Sequence, residues 1–486
     1  MEKNQIIELK IEDMLDDGRA FGRYEGCAVF VTGGAGTDSG KIAGAVPGDV
    51  IRAKVTRARK SSAEAVMTEL VSPSADRVRA ECPYFGECGG CTLQEMSYDA
   101  QMRLKAGQVR SKLSRLGGLD DPVVHDIIGA ETLKYYRNKA TFAVGPHGEV
   151  GFLKGKSRFV IDIDDCMLQT DAAMVCADAL RAFLRRTKER CISQMMVRTA
   201  FGTGEVMVAL ESERKDIPQI ELLTEMLDDA VYSLSAADDD SRESEEAAAD
   251  FAYSLESVAV IHKGKCHIIA GKPTITEEVL RSDGRIIKYE ISPQSFYQVN
   301  PEQMPRLYDK AAEYAALTGS ETVLDLYCGV GTIGIWMADR AERVIGIESV
   351  KPAVIDANRN SVINNIINTR YICGKAEEEL PGMMGLAKLY KWNEVNERVE
   401  REPEIRIGKA DVAILDPPRA GCEETLLEAV VKAEPERIVY VSCDPGTLAR
   451  DIKYLTANGY EFIEATPVDQ FPMTSHCEVT TLLKRL

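Results

Sequence analysis

Three motifs in the last third of the chain carry side chains that could together transfer a chemical group. They are Asp325-Leu326-Tyr327-Cys328-Gly329-Val330-Gly331, Asp416-Pro417-Pro418-Arg419 and Val441-Ser442-Cys443-Asp444-Pro445. Each follows or ends a short apolar run of the kind that forms buried parallel strands. Ligands of such sheets bind beyond the carboxyl ends of the strands, so the motifs are predicted to share one edge. A cofactor loop and a candidate nucleophile on that edge indicate covalent group transfer.

The first motif contains a glycine pattern typical of nucleotide-type cofactors. Gly329, Gly331 and Gly334 spell G-x-G-x-x-G directly after a strand, where glycine lets the backbone approach a ligand. The pattern fits a nicotinamide dehydrogenase, an S-adenosylmethionine enzyme, or a tight turn without a ligand. Asp325 favours S-adenosylmethionine because a carboxylate at the strand end can meet a cation. Glu348, at the end of the next strand, could hold the ribose of either cofactor.

The other two motifs, with a late strand, supply candidate reactive groups. The prolines after Asp416 stop the strand and are predicted to form a rigid lip at the ligand edge. Cys443 precedes a predicted helix that begins near Asp444, a position that is expected to lower the pKa of the thiol. Glu478 lies where a strand turns from polar to apolar, and becomes a candidate base if burial raises its pKa. Taken alone, such a cysteine is more often an inert apolar residue and such a glutamate a surface residue.

A cysteine cluster lies on a loop rich in glycine and proline near the start of the chain. Its members are Cys82, Cys88 and Cys91. Three thiolates this close predict a metal site, which needs a fourth ligand. Cys166 is the best candidate, although spacing alone does not separate it from Cys176 or Cys191. Zinc and a [4Fe–4S] cluster would both suit thiolate ligands.

The elements that must position these groups indicate three domains. Residues 1–72 contain several short strands with turn signals, which predict a small β-barrel. Residues 73–288 mix helix and strand patterns around the cysteine loop, and residues 289–486 alternate strand and helix as a doubly wound α/β domain does. An acidic stretch at about 228–256 and the polar segment 383–409 are predicted to be exposed insertions.

Composition narrows the class of protein. A net charge of −18 argues against a simple nucleic-acid binder, and no DNA partner is expected. Basic groups are nevertheless concentrated locally, at residues 52–60, 103–115, 134–139 and 154–158. The 13 cysteines of a long chain favour metal binding or catalysis over disulfides. Because the sequence shows neither a long apolar run nor a signal-peptide layout, we expect a cytoplasmic protein without a membrane partner.

With two further segments, the motifs support a resemblance to a known family. Those segments are Ser295-Phe296-Tyr297-Gln298-Val299-Asn300 and His476-Cys477-Glu478. Across nearly its whole length the chain resembles the RNA (uracil-C5)-methyltransferases, with a class I (Rossmann-like) methyltransferase domain after a mixed α+β central domain. The N-terminal barrel is similar to a TRAM domain, an RNA-binding module of OB-like shape. The cysteine set is similar to the [4Fe–4S] ligands of the branch that methylates 23S ribosomal RNA, whereas the bacterial tRNA branch typically lacks barrel and cysteines.

The resemblance implies a role for each motif. S-adenosylmethionine would contact Gln298, Tyr327, Glu348 and Asp416. The [4Fe–4S] cluster would be held by Cys82, Cys88, Cys91 and Cys166. Cys443 would add to carbon 6 of a uridine in 23S ribosomal RNA, and Glu478 would remove the proton from the methylated carbon 5. The alternatives are the same chemistry on tRNA and a non-catalytic RNA-binding iron–sulfur protein.

Overall fold

The N-terminal strands close on themselves. The computed structural model describes residues 1–15, 17–34, 36–37, 40–41, 43–155, 157–237, 252–392 and 398–486. Its first strands are β1 (Ile6–Met14), β2 (Ala20–Tyr24), β3 (Cys27–Thr32), β4 (Gly36–Thr37), β5 (Gly40–Lys41), β6 (Val50–Ala58) and β7 (Ser62–Ser72). Strands β1-β2-β3-β7-β6 form a closed barrel, and β4 pairs with β5. Alternate residues such as Ile7, Leu9 and Ile11 fill the barrel, which confirms the predicted small β-barrel.

The barrel leads into the cysteine loop and then into a long helix. Helix α1 (Tyr98–Arg115) follows the cysteine loop. Val109 and Leu113 of this helix are fully buried in the core of the C-terminal sheet. On the other side, the Gln108 side chain donates a hydrogen bond to the carbonyl of Met14 at 2.8 Å. Helix α1 therefore connects the barrel to the C-terminal part of the chain.

The middle of the chain forms a mixed sheet covered by helices. Its elements are β8 (Lys139–Val144), β9 (Val150–Leu153), β10 (Val160–Asp162), α2 (Asp171–Thr187), β11 (Ile192–Thr199), β12 (Glu205–Ser212), α3 (Ile220–Ala237), β13 (Ser254–His262) and β14 (Lys265–Gly271). The strand order is β10-β9-β8-β11-β12-β13-β14, with β12 and β13 parallel and the other pairs antiparallel. A separate hairpin, β15 (Ile275–Leu280) and β16 (Ile286–Ile291), follows. The predicted mixed α+β character of the central part is confirmed.

The last part of the chain is a doubly wound α/β unit. Its strands are β17 (Thr322–Leu326), β18 (Arg343–Glu348), β19 (Thr369–Cys373), β20 (Leu389–Trp392), β21 (Arg398–Arg401), β22 (Val412–Leu415), β23 (Arg437–Ser442), β24 (Tyr460–Val468) and β25 (Glu478–Arg485). Its helices are α4 (Met304–Ala315), α5 (Thr332–Met337), α6 (Lys351–Ile363), α7 (Ala376–Met383), α8 (Glu424–Lys432) and α9 (Pro445–Ala457), with a 3₁₀ turn at Ala338–Arg340. The main sheet has the order β19-β18-β17-β22-β23-β25-β24, and β20 pairs with β21.

The topology of this sheet brings the sequence motifs together. Strands β17, β22 and β23 are parallel neighbours, so the segments that follow them emerge at one edge. Strand β25 runs antiparallel to β23, with Val479 opposite Ser442. Glu478, the first residue of β25, therefore starts at the edge where β23 ends. The prediction of one shared edge is confirmed by strand order and register.

Two predicted insertions are more regular than expected. The first third of the acidic stretch at 228–256 belongs to α3, whose Leu223, Leu227 and Val231 are fully buried. Its last residues begin β13, so the prediction is wrong at both ends, and residues 238–251 lie outside the described part. In the 383–409 segment, β20 and β21 form an antiparallel pair. The ends of the segment are not exposed, because Met383 and Ile407 are buried in the core. No helix among the described residues is long and apolar enough to cross a membrane.

Candidate active site

The loop after β17 is fixed against the end of β18. The backbone N–H groups of Tyr327 and Cys328 both donate to the carbonyl of Ile347, at 3.0 and 3.1 Å. Gly329 donates to Oε2 of Glu348 at 3.2 Å, while Oε1 of Glu348 accepts from the N–H of Val350 at 2.7 Å. The loop passes through left-handed backbone at Tyr327 (φ 65°) and Gly329 (φ 55°). Two of the residues predicted to contact the cofactor, Tyr327 and Glu348, therefore lie side by side.

Asp325 carries an unsatisfied oxygen beneath this loop. Its side chain is fully buried, and Oδ2 accepts a hydrogen bond from the N–H of Gly334 at 3.0 Å. Oδ1 has no hydrogen-bond partner among the described residues. Burial raises the pKa of Asp325 to about 7, although the bond from Gly334 opposes the rise. A buried acceptor without a partner is a site where a cationic ligand would gain a strong interaction.

The carboxylate of Asp416 extends the site toward β23. Burial, and then the charge of Asp325, raise the pKa of Asp416 to about 7. The hydroxyl of Tyr308, on α4, is buried and lies 3.0 Å from Oγ1 of Thr332. Burial and the charges of Asp416, Asp325 and Glu478 raise the pKa of Tyr308. Tyr308 thus feels the charge of all three acidic groups, and no sequence motif had singled it out.

Cys443 lies between the end of β23 and the first turn of α9, as predicted. The N-cap residue is Asp444, whose side chain accepts from the N–H groups of Gly446 (2.8 Å) and Thr447 (3.2 Å). The helix donors are therefore bound to a carboxylate and not to the thiol. Burial, followed by the charge of Glu478, raises the pKa of Cys443 to about 12. The prediction that the helix N-terminus lowers this pKa is wrong, because burial and neighbouring acids outweigh it.

Glu478 meets the condition set for a candidate base. Its side chain is only 4% exposed, and burial and the charge of Asp416 raise its pKa to about 8. Arg419, from the Asp-Pro-Pro-Arg motif, opposes both shifts, since its positive charge lowers the pKa of Glu478 and of Cys443. The proposed nucleophile, the proposed base and one arginine thus interact electrostatically in a single cluster.

A narrow cleft reaches Cys443. Its lining includes Lys105, Lys112, Arg419, His476 and Asp444. Nη2 of Arg419 lies 3.3 Å from Nε2 of His476. Burial, and then the charge of Arg419, lower the pKa of His476 to about 4, so the imidazole is neutral at pH 7. Sequence reasoning assigned no role to Arg419 or His476, although both lie inside motifs that it had singled out.

Gln298 is positioned by the middle sheet. The residue is 3% exposed, and its backbone carbonyl accepts a hydrogen bond from Nδ2 of Asn138 at 2.9 Å. The N–H of Asn138 donates to the carbonyl of Val299 at 2.9 Å. Next to this loop, the ring of Tyr297 packs 5.7 Å from that of Tyr289, whose hydroxyl donates to the carbonyl of Thr332. The Gln298 segment therefore connects the middle sheet to the start of α5.

The four predicted metal ligands line one cavity of about 100 Å³. They are Cys82, Cys88, Cys91 and Cys166. Burial raises the pKa of Cys88, of Cys166 and, to about 12, of Cys91. Nε of Arg137, also in the lining, is buried and has no hydrogen-bond partner among the described residues. No group of three His, Cys, Asp or Glu side chains in the described residues is arranged to hold a metal ion.

Comparisons with known proteins agree with this geometry. The sequence profile of the family described as tRNA (Uracil-5-)-methyltransferase matches residues 184–486. A Halalkalibacterium halodurans protein described as an uncharacterized RNA methyltransferase is 35% identical, over 99% of this chain and 97% of its own. A Listeria innocua protein with a similar description is 36% identical, over 99% of this chain and 98% of its own. The solved structure of Pyrococcus abyssi tRNA (uracil-54, C5)-methyltransferase, in complex with S-adenosyl-L-homocysteine, is 26% identical with a TM-score of 0.67, and the match covers 98% of this chain and 100% of that chain.

The fold and its glycine loop define a Rossmann-like methyltransferase with an N-terminal β-barrel. More specifically, the chain belongs to the tRNA (uracil-5-)-methyltransferase family. It is an RNA (uracil-C5)-methyltransferase that uses S-adenosylmethionine. The family resemblance is confirmed at this level, and neither the nicotinamide dehydrogenase nor the non-catalytic alternative is supported.

Proposed function

We propose that Cys443 and Glu478 carry out uracil C5 methylation through a covalent adduct. The observation that supports this most directly is the meeting of the two side chains at one sheet edge, where the charge of Glu478 raises the pKa of Cys443 and Arg419 lowers the pKa of both. Carbon 5 of uracil is a weak nucleophile. Addition of a thiolate to carbon 6 converts it into an enolate-like carbon that can attack a methyl group.

The Cys443 thiol first loses its proton to solvent. The thiolate sulfur then bonds to carbon 6, and the electron pair of the carbon 5–carbon 6 double bond moves into the enolate. Carbon 5 then takes the methyl group from the sulfonium of S-adenosylmethionine, which leaves as S-adenosylhomocysteine. Glu478 accepts the proton from carbon 5, the carbon–sulfur bond breaks, and the thiolate leaves the 5-methyluridine product. Since the reacting atoms must reach a buried thiol, the uridine has to be flipped out or single-stranded.

Asp325, Asp416 and Glu348 are assigned to S-adenosylmethionine with Gln298 and Tyr327. The free Oδ1 of Asp325 suits a cationic part of the cofactor, and Glu348 suits its ribose hydroxyls. The positive sulfonium would lower the raised pKa values of Asp325 and Asp416 because opposite charges stabilise the ionised form. Cofactor binding and the ionisation of the site are therefore coupled.

The Cys443→Ala variant tests the nucleophile. We expect it to bind RNA and S-adenosylmethionine and to transfer no methyl group. Wild-type enzyme mixed with 5-fluorouracil-substituted RNA should form an adduct that survives denaturing electrophoresis, since fluorine blocks the final elimination. Normal turnover by Cys443→Ala, or an adduct mapped to another residue, would contradict the mechanism.

The cavity lined by four cysteines is proposed to hold a [4Fe–4S] cluster. Each iron of such a cluster takes one thiolate, so its ligands are spread wider than those of a single ion. That spread is compatible with four cysteines around one cavity that nevertheless form no single-ion site. The unpaired Nε of Arg137 could donate to a cluster or cysteine sulfur, a contact that tunes such clusters.

Anaerobic purification tests this assignment. We expect visible absorbance, acid-labile sulfide and about four irons per chain. The Cys88→Ser variant should lose much of the iron, whereas Cys373→Ser, at an exposed cysteine outside the cavity, should keep it. Stoichiometric zinc without iron would refute the cluster.

The RNA that we propose as substrate is 23S ribosomal RNA, with the barrel acting as a TRAM-like RNA-binding domain. The proposal rests on the resemblance of the barrel and the four cysteines to that branch. A tRNA substrate is the second candidate, because the Pyrococcus abyssi enzyme named for tRNA uracil-54 aligns over 98% of this chain. An alignment of that extent includes barrel residues, so the barrel separates this chain from the bacterial tRNA branch but not from the Pyrococcus abyssi enzyme.

Mapping 5-methyluridine in a deletion strain tests the substrate. The first candidate would be supported if the nucleoside were lost from 23S ribosomal RNA while tRNA was unaffected. The wild-type gene should then restore the nucleoside, and Cys443→Ala should not. Loss from tRNA alone would support the second candidate and overturn the first.

A further inference from the structure

The segment that leads into the proposed base is held by the segment that leaves the cysteine loop. Residues 469–477, here called the 469–477 loop, connect β24 to Glu478 and include His476. The N–H groups of Thr92 and Leu93 both donate to the carbonyl of Met473, each at 3.0 Å. In return, the N–H of Ser475 donates to Oγ1 of Thr92 at 2.9 Å. Thr92 follows Cys91 directly in the sequence, so the residue that makes these bonds is the immediate neighbour of a cavity cysteine.

A buried glutamine joins the same two segments. Oε1 of Gln101, a fully buried residue of α1, accepts a hydrogen bond from the N–H of Met473 at 3.0 Å. Nε2 of Gln101 donates to the carbonyls of Leu93 (3.2 Å) and Met96 (2.9 Å). The amide thus bridges the chain that follows the cysteine loop and the 469–477 loop. Because Gln101 is fully buried, removing one of its partners leaves its amide unsatisfied.

The backbone of the 469–477 loop needs such external support. Met473 has a φ of 67°, in the left-handed region that non-glycine residues rarely adopt. A conformation of this kind persists only where the surroundings hold it. Here the N–H and the carbonyl of Met473 are both bound by residues 92–101. The hydroxyl of Tyr136 adds a bond to the carbonyl of Pro472 at 3.0 Å.

We propose that Thr92 and Gln101 are positioning residues that hold the 469–477 loop so that Glu478 reaches the proton on carbon 5. The ordering of the cysteine loop is thereby coupled to proton removal, the last chemical step before elimination. The cysteine loop is tied in a second way, since the N–H of Cys82 donates to Oε1 of Gln94 in the cavity lining. This inference rests on the proposed roles of Cys443 and Glu478.

Thr92→Val tests the coupling, because valine keeps the shape and loses only the hydroxyl. We expect adduct formation with uridine-containing RNA to be unchanged and adduct breakdown to slow roughly tenfold, the effect of one lost hydrogen bond. The covalent complex should accumulate, as it should in Glu478→Gln. Thr92→Ser restores the hydroxyl and should restore breakdown. Thr224→Val, which removes a hydroxyl that bonds within α3, is the matched control and should behave as wild type.

Hydrogen exchange provides a readout that does not depend on catalysis. The amides of Met473 and Ser475 should exchange faster in Thr92→Val than in wild type, while those of β23 keep their protection. Cys88→Ser, which disturbs the cysteine cavity, should have the same effect on these two amides. A merely destabilising substitution would instead slow adduct formation and breakdown alike and raise exchange throughout.

The outcomes separate this inference from the proposed function. Unchanged exchange at Ser475 in Thr92→Val, or equal slowing of both chemical steps, would overturn the positioning role. Failure of Thr92→Ser to restore adduct breakdown would overturn it too. If wild-type enzyme forms no adduct, the role of Cys443 fails, and the exchange of the two amides still decides whether the cysteine loop holds the 469–477 loop.

Discussion

The pH dependence of the two halves of the reaction is the sharpest consequence of the site. Because the pKa of Glu478 is raised to about 8, only about one carboxyl in ten is ionised at pH 7, against about nine in ten at pH 9. A base must be ionised to accept a proton. Breakdown of the methylated adduct should therefore speed up about tenfold between pH 7 and pH 9 and then level off. A carboxyl of ordinary pKa would give a flat profile over this range.

Formation of the adduct should follow a different profile. The pKa of the Cys443 thiol is raised to about 12, so its thiolate fraction grows about tenfold for each pH unit up to pH 9 and beyond. Formation should accordingly continue to rise where breakdown has levelled off. Since the charge of Glu478 contributes to the raised pKa of Cys443, ionisation of Glu478 also influences the profile of adduct formation.

Rapid-quench single-turnover experiments between pH 6 and pH 10 separate the steps. Denaturing gels measure the covalent complex, and nucleoside chromatography measures released 5-methyluridine. In Glu478→Gln the adduct should still form, with breakdown slowed by about 10²- to 10⁴-fold, the usual loss for a general base. Breakdown that stays constant from pH 6 to pH 9, or a Glu478→Gln enzyme that resolves its adduct at the wild-type rate, would refute the assignment of the base.

Three further predictions concern the cofactor loop and stability. Asp325→Asn should weaken S-adenosylmethionine binding roughly 10- to 100-fold by calorimetry, the cost of one charged contact; unchanged affinity would exclude that contact. Gly331→Ala should lower the stability to urea more than Gly264→Ala does. Both glycines have positive φ, but a Cβ at 331 would lie 2.7 Å from the hydroxyl oxygen of Tyr371, whereas a Cβ at 264 would meet no atom within 4 Å. Finally, the site contains three carboxyls that ionise near pH 7 to 8 when folded and near pH 4 when unfolded: Asp325, Asp416 and Glu478. Their contribution to the free energy of unfolding should therefore fall as pH rises from 4 to 8. The fall should be up to about 1.4 kcal/mol per pH unit for each group. Asp416→Asn should flatten this slope; urea unfolding from pH 5 to pH 9 that gives equal slopes for variant and wild type would contradict it.

The sequence could predict the arrangement of the site because its strands are short, apolar and parallel. Runs such as 322–326 and 412–415 have the periodicity of buried parallel strands, and the ligand edge of such sheets is fixed by topology. The same reasoning could have found α3, since Leu223, Leu227 and Val231 repeat at helical spacing into the acidic stretch. The high density of charge in this stretch led to the prediction of an exposed insertion where an amphipathic helix lies.

The electrostatics of the site could not be predicted in the same way. The pKa of Cys443 depends on its burial and on Glu478 and Arg419, which come from other strands and loops. A local pattern indicated a helix N-terminus correctly, but it could not show that Asp444 binds the helix donors itself. The bonds between Thr92 and the 469–477 loop join segments more than three hundred residues apart, and no local periodicity reports such a contact.

The raised pKa of Glu478 reconciles burial with catalysis. Each turnover converts a cationic methyl donor into a neutral thioether and removes one proton from carbon 5, so the site must provide an acceptor for that proton. A carboxyl of ordinary pKa is a weak base toward carbon, whereas burial beside Asp416 makes Glu478 a stronger one. The same burial keeps the carboxyl largely protonated at pH 7, and Arg419 offsets part of that effect. Entry of the positive sulfonium favours ionised acids, and its conversion to a neutral thioether removes that influence before Glu478 accepts the proton.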